Sequence, residues 1–286
     1  MKLQVLLCAL IFLLILGATT VGLFYKTPEP PIEHTTVRGQ KAVFQGSGLY
    51  RYDPIVVVRE GVIWDAINLC IGLPLLAVAV ILTLGDSLRG RLLLGGLLFY
   101  FFYVYLMYAT MMAFNPLFLV YVGIFALSLV AFFLNLSLID LAGLPLRFSP
   151  RFPRTAFVVF SLLLSAALLL LWIGRIVPIM ITGRLPEELA GVATLETQAL
   201  DLGLIVPLAL CSAIGLWRRT AWGYYLTSVA ITFGFMMFIT IPAWIVVPLI
   251  RDGRFNLVEG VPFFILSLAG LVLVVLFYRN VAGHKR

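Results

Sequence analysis

Between Lys2 and Lys26 the chain carries no charged side chain, and long apolar runs of this kind recur to its C-terminal end. No other feature limits the fold so strongly. A helix needs about 20 mostly apolar residues to cross a hydrocarbon core of roughly 30 Å. Within that core every backbone N–H and C=O must be satisfied by the chain itself, in helices or in a closed barrel. The runs are continuous and lack the in/out alternation of barrel strands, about ten residues at a time, so helices are expected. The reading is an all-α fold, a polytopic transmembrane helix bundle of about eight spans that forms a single transmembrane domain over residues 1–286. The spans fall at Leu3–Phe24 and at roughly 62–83, 92–114, 117–139, 156–177, 201–217, 221–249 and 262–279. Pro242 and Pro248 mark the outer end of the seventh, which is long enough to be tilted or broken.

Composition agrees. The chain is 62% hydrophobic and 12% charged, with mean hydropathy +1.09, whereas soluble domains carry about 25% charged residues. A net charge of +7 raises the question of nucleic acid, but outside the tail no basic run exceeds Arg218-Arg219. Positive-inside topology accounts for the excess, so membrane lipid and not nucleic acid is the expected partner. Cys8, Cys70 and Cys211 lie within spans without metal-ligand spacing and read as small buried apolar residues.

The first run has two readings. Lys2, an apolar stretch and then Gly17-Ala18-Thr19-Thr20 resemble a signal peptide, whose cleavage leaves seven spans. The stretch is longer than the usual apolar region of about 7–15 residues, which favours an uncleaved anchor. Residues 26–60, with Pro28, Pro30, Pro31 and Gly46-Ser47-Gly48, form an extracytoplasmic loop, with extended structure expected around Ile55–Val58.

Orientation follows from the loops. With the N-terminus inside, Lys2, Arg89, Arg91, Arg147, Arg151, Arg154, Arg218, Arg219, Arg279, Lys285 and Arg286 are cytoplasmic, eleven of the 20 basic residues, while ten of the 13 acidic ones fall outside. This asymmetry supports both termini in the cytoplasm of a cell-membrane protein. The basic cytoplasmic loop 140–155 spaces Arg147, Arg151 and Arg154 among prolines and phenylalanines. These arginines either contact lipid headgroups or only set topology.

The two halves also echo one another. Asn68 and Pro74 match Asp201 and Pro207 in spacing, each followed by a short basic turn, and Met111-Met112 and Met236-Met237 are expected to close the third helix of each half. A four-plus-four repeat in one orientation is the arrangement of some transporters.

Ionisable groups in spans cost about 2.5–3.5 kcal/mol each on insertion scales. Asp65 with Asn68 at i+3 is therefore a candidate ligand-binding pair, the alternative being a solvated interfacial acid. Gln198 and Asp201 open the sixth span as further ligand-binding candidates, although an acid at a helix start also serves as a cap. Arg175 and Glu196 are charge partners at the same end, unless Arg175 snorkels. The third span holds Tyr100, Tyr103, Tyr105 and Tyr108; the Tyr105/Tyr108 face would suit either a flat apolar ligand or a neighbouring helix. There is no His-Glu-x-x-His, Walker loop, CxxC or Gly-x-Ser-x-Gly motif, so no catalytic residue, metal ligand or cofactor is assigned.

Three patches, Asn115 to Tyr121, Arg147 to Arg154, and Leu200 to Pro207 with Trp222-Gly-Tyr224 beyond, are similar to multispanning integral membrane proteins of bacteria and archaea that have no assigned activity. The resemblance implies a prokaryotic cell membrane and no functional residue. Three functions stay open, in this order: binding or transport of a small molecule or lipid in an outward-facing polar crevice, a sensor or accessory subunit that recognises another membrane protein through the 26–60 loop, and an enzyme acting on lipid headgroups.

Overall fold

The computed structural model describes residues 1–183, 189, 191–252 and 257–282. Among them, eight helical stretches are long and apolar enough to cross a membrane, and the chain is a multi-pass all-α membrane protein. Helix α1 (Lys2–Phe24) leads to a two-stranded antiparallel hairpin, β1 (Ile32–Thr35) and β2 (Lys41–Phe44). The second span is α2 (Ile55–Ile67), a π-helical turn (Asn68–Gly72) and α3 (Leu73–Leu84), followed by α4 (Leu88–Met111) and α5 (Phe118–Ser137). The second half repeats this plan with α6 (Arg154–Thr182), α7 (Glu196–Leu200), a π turn (Asp201–Ile205), α8 (Val206–Trp217), α9 (Ala221–Asp252) and α10 (Leu257–Asn280).

Prolines explain the π turns. Pro74 and Pro207 stand in the first turn of α3 and α8. A proline inside a continuous helix lacks the N–H and its ring crowds the carbonyl four residues back. One wide turn ahead of it relieves that crowding. Accordingly the Leu73 N–H donates to Asn68 O, and the Val206 N–H to Asp201 O, each five residues back.

The duplication is visible at atomic detail with a constant offset of 133 positions, that between 68 and 201 and between 74 and 207. The turns after α3 and α8 place Asp86 and Arg219 in the left-handed region, at φ 53° and 57°. The Ser87 N–H donates to Leu82 O and the Thr220 N–H to Gly215 O. Ser87 and Thr220 then cap the next helices, their hydroxyls accepting from the N–H of Gly90 and Gly223. Gly90 lies on Leu82 and Gly223 on Gly215, so each helix pair crosses at a glycine. Helix contacts repeat as well: α3 packs on α4 as α8 on α9, and α4 on α5 as α9 on α10. The halves meet along α4 and α9, with α2 touching α9 and α7 touching α4, an exchange expected of a pseudo-twofold. The same offset carries Met111 to position 244, not to Met236-Met237. That methionine pair lies inside α9, which runs on through Pro242 without a break and does not close there.

Two further expectations are corrected. Ile55–Val58 is the first turn of α2 and not extended, because the chain has already entered the bundle; the extended structure lies earlier, in β1 and β2. Cys8 is buried, but Cys70 and Cys211 lie on the outer surface of the bundle. Where lipid is the solvent an apolar thiol gains little by turning inward, and Leu3, Leu6, Leu10 and Leu13 of α1 also face out. The tightest core is α4, whose Tyr100, Tyr103, Tyr105 and Tyr108 are all essentially inaccessible.

One end of the bundle gathers Arg89, Arg91, Arg147, Arg151, Arg154, Arg218, Arg219 and Arg279, and the other carries the hairpin and the 112–117 turn. At the arginine end the loop before α6 folds back on the helices. Phe148 and Phe152 pack with Phe157, Tyr224 and Phe277, and the Arg89 guanidinium donates to Val281 O at 2.7 and 2.9 Å. Arg147 sits in a 3-10 turn (Leu144–Arg147), Arg151 is exposed, and Arg154 begins α6.

Candidate functional site

At the hairpin end a cavity of about 330 Å³ opens where the halves meet. Val56, Glu60 and Trp64 of α2 and Tyr103 and Met111 of α4 form one wall; the other comes from Leu168, Trp172 and Arg175 of α6, Glu196, Gln198 and Asp201, and Met237 and Trp244 of α9. The volume falls in the range of small-molecule sites, roughly 300–1,000 Å³. Asp201 is held in place at the π turn: Oδ1 accepts from the Tyr103 hydroxyl at 2.7 Å and Oδ2 from Trp172 Nε1 at 2.9 Å. The Arg175 guanidinium lies over the Trp172 ring, 5.6 Å from its centroid, and Trp64 and Trp244 meet edge to face at 5.1 Å.

Asp65, Asn68, Tyr105 and Tyr108 do not join this cavity. They occupy a closed polar core in the first half, where Asp65 and Asn68 are 1% and 0% exposed. Asp65 Oδ2 accepts from the Tyr50 hydroxyl at 2.6 Å, and the single Tyr108 hydroxyl proton is shared between Gly61 O at 2.8 Å and Asp65 Oδ1 at 3.1 Å. Tyr100 donates to Asn68 Oδ1 at 2.9 Å, and the rings of Tyr105, Tyr108 and Tyr121 pack together. The six polar candidates therefore divide into two groups. The 133-residue offset shows why they look alike in sequence: Asp65 corresponds to Gln198 and Asn68 to Asp201, so acid and amide have traded places. Tyr50 and the chain around it seal the first-half pair, whereas the second-half pair is left facing the cavity.

Arg175 and Glu196 do line the same cavity. Glu60 and the three tryptophans are site residues that sequence reasoning missed. The available signal was Glu60 four residues before Trp64 on one helix face. It was hidden because residue 60 read as the end of the outer loop, while α2 begins at Ile55.

Asp53 latches the outer segment to the bundle. It is 1% exposed and accepts the Ala113 N–H at 2.6 Å. Burial pushes its carboxyl up to about 7, with the Ala113 N–H pulling the other way. The folded value lies above the unfolded one, near 3.9. This contribution is therefore full below the unfolded value and is lost as pH rises through about 7. Thermal unfolding at pH 5 and pH 9 is expected to show a loss of about 2–3 kcal/mol that Asp53→Asn abolishes; identical pH profiles for the two proteins contradict it.

No protein-family model matches the chain, and neither does any curated protein or solved structure.

Proposed function

We propose that this protein binds a small organic molecule in the cavity between its halves and works as a transporter-type protein of a cell membrane. Both termini lie in the cytoplasm and the hairpin end faces outward. The observation that carries this reading is the position of the cavity: it lies at the seam of a parallel repeat, lined from both halves, with π turns and fixed polar side chains beside it. The arginine-rich end supports the orientation, and its exposed Arg151 suits contact with anionic headgroups. Kinship with the multispanning proteins of bacteria and archaea belongs to the same proposal.

The test is native mass spectrometry of the gently solubilised protein beside Leu168→Trp, which fills the cavity from α6. The wild type is expected to carry an added small-molecule mass that the variant loses at unchanged melting temperature. Absence of any added mass, or its persistence in the variant, overturns the reading. The rival, a partner-recognising subunit, is favoured by the exposed apolar hairpin residues Ile32, Val37 and Val43, and a co-purifying protein in place of the small molecule would select it.

A further inference from the structure

We infer that the ligand of this cavity is an organic ammonium ion that also carries a hydrogen-bond acceptor; this rests on the binding reading above and specifies its ligand class.

Charge comes first. Among the described residues, Glu60 on α2, Glu196 on α7 and Asp201 at the π turn bring three carboxyl groups to the wall against one guanidinium, that of Arg175. Asp201 is satisfied by Tyr103 and Trp172. Glu60 is only partly accessible and has no hydrogen bond or ion pair among the described residues. An acid held against an apolar wall without a counter-charge is costly, and a cation entering beside it removes that cost.

The aromatic wall selects in the same sense. Trp64, Trp172, Trp244 and Tyr103 surround the space, and the faces of such rings attract cations, most strongly for tryptophan. The protein already uses one of them in this way, with Arg175 over Trp172.

A second, independent observation comes from the donors. Among the described residues Trp64 Nε1 and Trp244 Nε1 have no hydrogen-bond partner, although both residues line the cavity and Trp64 is 1% exposed. A buried N–H without an acceptor is costly, so a ligand that brings an ether, hydroxyl or carbonyl oxygen is favoured over a purely hydrocarbon cation.

A second space adjoins the site. A second cavity of about 630 Å³ lies beneath the outer segment, beside Lys26, Gln45 and Tyr50, and Val56, Glu60 and Trp244 line both spaces. Glu60 thus stands between the two spaces.

The experiment titrates the full-length detergent-solubilised protein with 3-phenoxypropylammonium, 3-phenoxypropanol and 3-phenoxypropanoate. All three share the ring and the ether oxygen and differ in head group. Tryptophan emission is the readout, since three of the 5 tryptophans line the cavity. The ammonium is expected to give a saturable change with affinity at least tenfold above that of the alcohol, and the carboxylate to bind weakest. In Glu60→Gln the ammonium is expected to weaken at least fivefold with the alcohol unchanged, which a folding defect would not produce. If the alcohol or the carboxylate binds as tightly as the ammonium, the ligand class is wrong while the cavity remains a binding site. If the ammonium gives no saturable response, the class is overturned as well. If, in addition, native mass spectrometry finds no small molecule that Leu168→Trp displaces, the binding reading fails with it.

Discussion

Gly223→Ala is expected to unfold much of the second half of the bundle, with a loss of at least about 3 kcal/mol, which is large against the 5–15 kcal/mol that holds a typical protein folded. A Cβ built on Gly223 falls on the carbonyl group of Gly215 and the amide of Leu216, all of them backbone atoms. A side chain can rotate away, whereas backbone in the last turn of α8 can move only if α8 and α9 separate. That hairpin also carries the Thr220 cap, so separation costs hydrogen bonds as well as packing. The first-half equivalent is milder: at Gly90 the added Cβ meets Leu82 Cβ at 2.6 Å and backbone atoms at 2.8 Å. Gly174 in α6 has nothing within 4 Å of a Cβ, and Gly174→Ala gains helix propensity worth up to about 1 kcal/mol. Melting temperatures in detergent should therefore rank Gly174→Ala at or above the wild type, then Gly90→Ala, then Gly223→Ala. Equal stability for all three would mean that the two hairpins do not cross at their glycines.

Asp65→Ala is expected to cost about 3 kcal/mol, and Asp65→Asn under about 1 kcal/mol. The carboxylate accepts from two buried tyrosines, Tyr50 and Tyr108, and its removal strands the Tyr50 hydroxyl at roughly 1–3 kcal/mol and leaves a void besides. Asparagine keeps an acceptor for Tyr50. The single Tyr108 proton can go to Gly61 O, leaving its oxygen to accept from the new amide, so the network closes again. Tyr50 belongs to the segment that joins the hairpin to α2; Asp53 ties this segment to Ala113, and Arg38 ties the hairpin turn before it to the carbonyls of Val192 and Ala193. Asp65→Ala should therefore also speed tryptic cleavage after Arg38, Lys41 or Arg51, while Asp65→Asn leaves it near the wild-type rate. If Asp65→Asn proves as damaging as Asp65→Ala, the negative charge itself is needed and the core is more than a structural network.

Most of the architecture was legible in the residues. Span number and approximate position follow from the length of the uncharged runs, because lipid leaves a backbone few alternatives. The matched spacing of Asn68 with Pro74 and Asp201 with Pro207 foretold the repeat, since a proline at a fixed distance forces the same π turn in both halves. Side-chain identity did not foretell it: the offset equates Tyr103 with Met236 and Trp64 with Thr197, so the repeat lives in backbone hydrogen bonds and glycine crossings. The methionine pairs misled for the same reason, being chemically alike but at unlike depths in α4 and α9.

The sequence by itself marked Asp65, Asn68, Gln198 and Asp201 as polar groups in or beside spans, which must meet either solvent or a partner. Only the tertiary structure decided who those partners are. Asp65 was assigned to tyrosine hydroxyls from α4 and from the outer segment, 43 and 15 residues away, and Asp201 to Tyr103 and Trp172, 98 and 29 residues away. Hydrophobic periodicity reports which face of a helix is buried but not what lies across from it. The docking of Tyr50 and its outer segment on the first half is what left one polar pair sealed and the other beside a cavity.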